Sequence, residues 1–461
     1  MKRILLSAAI LAAAAAFAVP YKDGDVVVFF GDSITHGGRY HEYVTDYYRT
    51  RFPEAKIRFV NSGIGGDTAR GAFRRIPEDI AEYAPTHVTF HFGMNDINRG
   101  AYLVESTAQS LKDRELAQTA YRENFRKLAD GVRKAAPQAK FTYLTPTPYD
   151  QYAVVTNAPK SGWASVNNVG CNEGLSLMAG FCIASAAKDG ADFVDWHSLL
   201  NNFMRRHQKG DPHFSITGPD RVHPREMGHS IMAWEFLKRQ GVPAVVSEVV
   251  VDASAKTAKA ENAAVTDLAC ADGRVTFVLA AKALPLPVHE KALPYVREFD
   301  VENTLNRETV KVTGLAAGTY ALKIDGEEVG RYAAAEFAEG VRLGFNAKTP
   351  QYRQAQTVAK RCRELCNREA VLRNHHSARW FFGNRGQDVD DIPAFRTWYE
   401  ANVKTGKAGE WGGYFGKFIP GYLEYWPKYK AVREELWRDQ DAVRELAKPV
   451  PHRYEVVRLA Q

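Results

Sequence analysis

An α/β fold built on a parallel sheet is what this chain predicts for its first half, and three observations carry that reading. Short, continuously apolar runs recur between Tyr21 and about Val245, as parallel strands covered on both faces require. Longer amphipathic stretches separate them, giving the strand–helix alternation of a sheet sandwiched by helices. Polar, chemistry-bearing residues fall just past the ends of the apolar runs, where such sheets gather functional groups.

The predicted strands are Val26–Phe30, Ile57–Val60, His87–Phe92, Phe141–Thr145 and Phe193–Trp196. Between them, Glu115–Ala135 carries Tyr121, Phe125, Leu128 and Val132 on one helical stripe, and a second helix runs from about Glu173 to Lys188. Ser33, Gly66, Asn95 and Thr147 follow predicted strand ends. The composition then changes. Val250–Ala264, rich in Ala, Lys and Thr, reads as a linker or irregular edge. Beyond it, Arg274–Leu279 and Thr309–Ile324 alternate as a half-buried antiparallel sheet does, with Asp272-Gly273 and Asp325-Gly326 as hairpin turns. The rest is helical and aromatic. Val358, Cys362, Leu365 and Leu372 mark one stripe, and Val432, Leu436, Val443 and Leu446 another. Trp380-Phe381-Phe382, Trp398-Tyr399 and Tyr414-Phe415 read as packing of that helical region, with a wall of the substrate pocket as the sharper alternative.

These divisions give a leader at 1–18, a first domain at 21–245, a small β module at 250–345 and a helical, aromatic-rich region at 350–461. A length of 461 residues is too great for one ordinary core, and 45% apolar with 25% charged residues is globular composition. Lys2 and Arg3, the apolar stretch Ile4–Ala16 and the small-x-small sequence Ala16-Phe17-Ala18 form a secretory signal, with cleavage expected after Ala18. The expected destination is periplasmic or extracellular, with no stable membrane anchor after cleavage. Without Lys2 and Arg3 the formal charge falls from +7 to +5, spread over a chain with no basic block, which excludes nucleic acid as a partner. Five dispersed cysteines do not describe a disulfide scaffold, although a Cys171–Cys182 bridge is left open.

Two segments carry chemistry. Gly31-Asp32-Ser33-Ile34-Thr35 follows the first apolar run, and Asp220-Arg221-Val222-His223-Pro224 lies far downstream. A serine at a strand-to-helix turn needs an imidazole base to attack an ester, and the base needs a carboxylate to set its tautomer. Ser33 is the candidate nucleophile, His223 the base and Asp220 its orienting carboxylate. The developing oxyanion needs donors. Candidates are the backbone N–H of Ser33, the N–H of Gly66 within Asn61–Thr68, and the side-chain amide of Asn95 in Gly93-Met94-Asn95-Asp96. The long segment Pro146–Gly170 follows the fourth strand and borders the same cleft, making Tyr149, Trp163 and Asn167 candidate substrate contacts.

Four blocks, Gly31–Thr35, Asn61–Thr68, Gly93–Asp96 and Asp220–Pro224, present Ser, Gly, Asn and His in that order. In this the chain resembles the SGNH hydrolases, or GDSL-type esterases, over about Asp25 to Gln240, with Thr35 in place of the leucine of the Gly-Asp-Ser-Leu motif. The resemblance implies a three-layer α/β/α, flavodoxin-like fold lacking a Gly-x-Ser-x-Gly elbow, and no such elbow occurs here. It also implies an exported carbohydrate O-acetylesterase: an acylated carbohydrate or other ester as substrate, a small acyl group, acetyl first, and no cofactor. A lipid-ester hydrolase or periplasmic acyltransferase would use the same triad, and a glycan-binding or assembly role through the C-terminal region is a third possibility.

Other residues read as structural. Asp32 and Asp96 are expected to bond their own turns, Asp67 and Thr68 to open a helix, and Arg70, Arg74 and Arg75 to form its solvated face. His36 and His41 read as structural or solvent-facing, and His229 as packed. His207 and His213 flank Asp211, but no third ligand at fixed spacing supports a metal.

Overall fold

The structure is a computed structural model describing residues 20–103, 105–271 and 273–460. The expected leader at 1–18 and Asp272 of the expected hairpin turn lie outside the described residues.

The first domain holds five parallel strands: β1 (Val26–Gly31), β2 (Arg58–Gly63), β3 (His87–His91), β4 (Lys140–Leu144) and β5 (Asp192–Val194). Their order in the sheet is β2-β1-β3-β4-β5. β1 pairs in register with β2 on one side, Gly31 opposite Gly63, and with β3 on the other, Gly31 opposite His91. The chain therefore winds in opposite directions from β1, and the switch point between β1 and β3 opens a crevice beyond their carboxyl ends. β1 shows why its sequence has no polar alternation. Val27 and Phe29 enter one core with helices α2 (Arg39–Arg51), α6 (Trp196–Gln208) and α7 (Glu226–Arg239), whereas Val28 and Phe30 enter a second core with α3 (Ala69–Phe73), α4 (Ala108–Ala135) and α5 (Cys171–Asp189). The short helix α1 (Ser33–His36) begins two residues past β1. This is the α/β/α sandwich expected from the sequence.

Some boundaries differ. Trp196 starts α6 rather than ending a strand, because Asp195 caps that helix by accepting the Ser198 N–H at 3.1 Å. α4 begins seven residues before its expected start at Glu115, at a capping box in which Thr107 and Ser110 exchange hydrogen bonds. Cys171 and Cys182 lie eleven residues apart on α5, too far along one helix to bridge, and all five cysteines are free.

The β region departs further from expectation. The stretch expected as a linker forms strands β6 (Val245–Asp252), β7 (Thr257–Glu261) and β8 (Ala263–Ala271). They are followed by β9 (Arg274–Ala281), β10 (Arg307–Thr313), β11 (Thr319–Ile324), β12 (Glu327–Ala333), β13 (Val341–Arg342) and β14 (His452–Arg458). Thr309–Ile324 is thus split between two sheets, one ordered β13-β10-β6-β7 and the other β12-β11-β14-β9-β8. The β6–β10 pair is parallel. One core, including Val249, Val310, Phe277, Leu322 and Tyr454, joins the two sheets. The Asp325-Gly326 turn forms as expected, both residues at positive φ between β11 and β12. β14 comes from the far end of the chain and inserts between β9 and β11.

The helical region is dominated by α8 (Pro350–Gly383) and α9 (Tyr429–Leu446), which pack together and, through α8, onto α2 and β2. Val358, Cys362, Leu365 and Val443 form their shared core, whereas Leu446 is 46% exposed. Phe381, Phe382, Phe395, Phe415 and Tyr422 form a separate aromatic core with Trp380, Trp398 and Tyr399 against it. That is the packing alternative for those aromatics, while Tyr414 is 50% exposed. No helix among the described residues is long and apolar enough to cross a membrane.

Candidate active site

β1 delivers its chain end into the crevice, and Asp32 turns it. The Asp32 carboxylate accepts the Ile34 N–H at 3.0 Å, capping α1. Ser33 is therefore the first residue of a helix, where backbone N–H groups have no intrahelical acceptor. Its Oγ lies 2.8 Å from His223 Nε2. His223 Nδ1 lies 2.7 Å from Asp220 Oδ2, while Asp220 Oδ1 accepts the backbone N–H groups of Val222 and His223, each at 3.0 Å. Burial opposes ionisation of Asp220, but the bonds from the His223 ring and these two amides outweigh it and hold the carboxyl down at about 2. An ionised Asp220 makes Nδ1 the protonated nitrogen, leaving the Nε2 lone pair to accept the Ser33 hydroxyl.

The segment between the two acidic and basic partners is tightly held. Arg221 has φ 63°, a left-handed conformation costly for a side chain of its size. Its guanidinium donates to the carbonyls of Asp150 at 2.9 Å and Ala153 at 2.8 Å, and its own carbonyl accepts the Asp150 N–H at 3.0 Å. Arg221 thus ties the His223 loop to the segment after β4. Nothing local in the sequence marks an arginine for that conformation.

The oxyanion candidates come from the ends of β2 and β3. Gly66 sits exposed in the turn after β2 at φ 78°, a conformation that favours glycine. The Asn95 amide donates to the Asp67 carbonyl at 2.9 Å, so the β3 loop and the Gly66 loop are joined. Ser33, Gly66 and Asn95 thus belong to three neighbouring strand ends, β1, β2 and β3. Thr68 caps α3 through the Gly71 N–H, as expected of it.

Arg75 is a correction. It is 4% exposed instead of solvated, with Nε 2.7 Å from Asp67, a further bond to Asp79, and donations to the carbonyls of Ser62 at 2.7 Å and Gly31 at 3.0 Å. Its guanidinium also lies 4.4 Å over the Phe30 ring. It satisfies buried carbonyls at the ends of β1 and β2 and clamps the loop carrying Gly66. Asp67 is correspondingly buried and paired. Asp32 bonds its own turn as expected, whereas Asp96 accepts the Ala69 N–H at 3.0 Å and so ties the β3 loop to the start of α3. Burial pushes the Asp32 carboxyl up to about 7 and the Asp96 carboxyl to about 8.

Of the proposed substrate contacts, Trp163 stands at the mouth. It is 48% exposed, its ring lies edge-on to His223 at 6.3 Å, and the Arg99 guanidinium covers it at 4.9 Å. Tyr149 does not line the opening. It is 2% exposed, and its hydroxyl accepts the Asn168 N–H at 3.1 Å and meets the Val166 carbonyl at 3.3 Å. Asn167 donates to the Gln151 carbonyl at 3.0 Å. Both hold the loop that presents Trp163. Away from the crevice, His207 pairs with Glu298, His213 with the Val154 carbonyl, and His41 and His229 are buried. Among the described residues no cluster of three or more His, Cys, Asp or Glu could hold a metal ion.

Residues 29–231 match the GDSL-like lipase/acylhydrolase family. The first domain is a GDSL-type esterase domain. An acetylxylan esterase from Geobacillus stearothermophilus is 26% identical over 234 residues, covering 47% of this chain and 94% of the relative. A solved structure of a gut microbial diltiazem-metabolizing enzyme is 29% identical with a TM-score of 0.86, covering 96% of this chain and all of the other. The similarity there extends beyond the GDSL domain to the β and helical regions. A crystal structure of an acetylxylan esterase from Geobacillus stearothermophilus aligns over 48% of this chain and 96% of its own at 23% identity, with a TM-score of 0.37.

Proposed function

We propose that the protein is an exported serine esterase that removes a small acyl group, acetyl first, from a carbohydrate or glycoconjugate. The observation that carries the reading is the relay from Ser33 Oγ through His223 to Asp220, with steps of 2.8 and 2.7 Å. The GDSL-type domain and the acetylxylan esterase relative support carbohydrate acetylesterase-like chemistry.

In this mechanism His223 Nε2 takes the Ser33 proton as Oγ bonds to the ester carbonyl carbon. The resulting oxyanion is met by the N–H groups of Ser33 and Gly66 and by the Asn95 amide. The His223 imidazolium then protonates the sugar's ester oxygen as the bond from it to the acyl carbon breaks, releasing the sugar hydroxyl. Water, deprotonated by His223, attacks the acyl-serine, and the serine oxygen leaves with the proton. Asp220 stays ionised throughout and stabilises the imidazolium.

Ser33→Ala should reduce p-nitrophenyl acetate hydrolysis at least about a thousand-fold with an unchanged thermal transition. Turnover at the parent rate would refute the assignment. Acetyl, butyryl and octanoyl esters separate a deacetylase from a lipid-ester hydrolase, and acetate release from acetylated polysaccharides identifies the sugar. Export is tested by the N-terminal residue of the protein recovered outside the cytoplasm, expected at Val19.

A further inference from the structure

His36 occupies the last position of α1, three residues after Ser33, and its ring bridges two distant parts of the chain. Nδ1 lies 3.1 Å from the Gly65 backbone nitrogen, and Nε2 lies 2.9 Å from the Ala370 carbonyl oxygen on α8. The Gly65 N–H can only donate and the Ala370 carbonyl can only accept. Both bonds therefore form only in the neutral tautomer carrying its proton on Nε2. Burial, with Arg373 and Arg75 adding to it, favours that neutral ring against the opposing pull of the Ala370 carbonyl.

The bond to Gly65 falls one residue before Gly66. Two successive glycines have unusual freedom to swing, and a mobile donor is a poor oxyanion stabiliser. Here the Gly65–Gly66 peptide is bracketed. His36 holds the Gly65 N–H on one side. On the other, the Asp67 N–H donates to the Ile64 carbonyl at 3.2 Å and the Asn95 amide holds the Asp67 carbonyl at 2.9 Å. α8 grips the preceding strand on the same face. Glu369 accepts the Asn61 N–H at 2.9 Å, and Arg373 donates to the Gly63 carbonyl at 3.1 Å. There is no room for α1 to drift from β2 either, since a Cβ on Gly63 would lie 2.1 Å from the His36 backbone nitrogen.

We infer that His36 is a positioning residue for the esterase reaction, transmitting the rigidity of α8 to the oxyanion-hole peptide Gly65–Gly66. The inference rests on the reading of Gly66 as an oxyanion donor. It makes the C-terminal helical region part of the catalytic apparatus.

The test uses the full chain, p-nitrophenyl acetate and three variants. Asn places an acceptor near the position of Nδ1 and can keep the Gly65 bond, Gln can reach Ala370 but not Gly65, and Ala makes neither. His36→Ala and His36→Gln should lose about ten- to a hundred-fold in kcat with KM within about two-fold, while His36→Asn recovers most of kcat. Phosphonylation of Ser33 by a phosphonate ester, whose product sets an anionic oxygen in the hole, should slow in the same order. A purely structural role predicts rates that follow thermal stability and do not separate Asn from Gln. Equal kcat for the Asn and Gln variants, or parent kcat in the Ala variant, overturns the inference; if the Ala variant fails to fold, the Asn-to-Gln ratio decides. Should Ser33→Ala keep parent activity, the esterase reading falls instead.

Discussion

Charge at the Ser33 centre is arranged so that each group needs the next. Asp220 is ionised because two backbone amides and the His223 ring donate to it, and only an ionised Asp220 fixes the tautomer His223 requires. Asp220→Asn keeps the volume but removes the obligate acceptor. It should lower kcat about 10³- to 10⁴-fold in steady-state assays while the fold persists. A loss below ten-fold would mean another group orients the base. Asp96 makes the opposite case. Its Oδ2 is buried without a hydrogen-bond partner, and burial lifts the carboxyl to about 8. The sign follows from linkage. Between the ordinary carboxylate range near pH 4 and about pH 8 the unfolded chain has released this proton and the folded chain retains it, so stability falls as pH rises through that window. Asp96→Asn should flatten that decline and be more stable than the parent at pH 8 by on the order of 1 kcal/mol or more, read from urea midpoints across pH 5 to 8.5. The slope of the variant remaining equal to the parent's would assign the titration elsewhere.

Among the elements, α8 carries the most unusual burden, because it presents charge to a buried sheet edge. Arg373, 4% exposed, makes two bonds of 2.8 Å to Asp79, which also pairs with Arg75. Replacing Arg373 by Met leaves part of that charge uncompensated and should cost about 3 kcal/mol in chemical denaturation. β1 to β5 were legible because strands buried on both faces are written as unbroken apolar runs, and Ser33, Asp220 and His223 were legible because local turns carry them. Edge strands β7 and β8 were not. Their residues are mostly exposed or half-buried, so Ala, Lys and Thr there resemble a linker. β14 breaks the two-residue alternation at Val456-Val457, and it lies more than a hundred residues from both partners. Arg75 looked solvated because a buried arginine reads like an exposed one until its carboxylates are in place. The contact between His36 and Ala370 spans 334 residues, beyond any local pattern.

For the whole molecule, the GDSL domain, the β sandwich and the helical region form one interlocked body. α8 covers β2, and Arg58 of β2 makes a two-pronged ion pair with Asp441 of α9. The end-to-end similarity to a solved structure, at a TM-score of 0.86, belongs to that assembly. Removing residues 450–461 should therefore do more than trim a tail. It takes the partner from both β9 and β11, so the thermal transition should fall by roughly ten degrees or more and soluble yield should drop. A shortened chain with the parent transition would show that β14 is dispensable.

The position of β14 also sets the order of events in biosynthesis. A ribosome delivers the GDSL sheet, residues 26–194, before it reaches the sandwich strands. The sandwich cannot follow in the same vectorial way, for the strand at the middle of its larger sheet is translated more than a hundred residues after both of its partners. Until residues 452–458 are made, β9 and β11 face an empty slot, and quality-control proteases meet a half-built sheet in any copy that stops between β11 and β14.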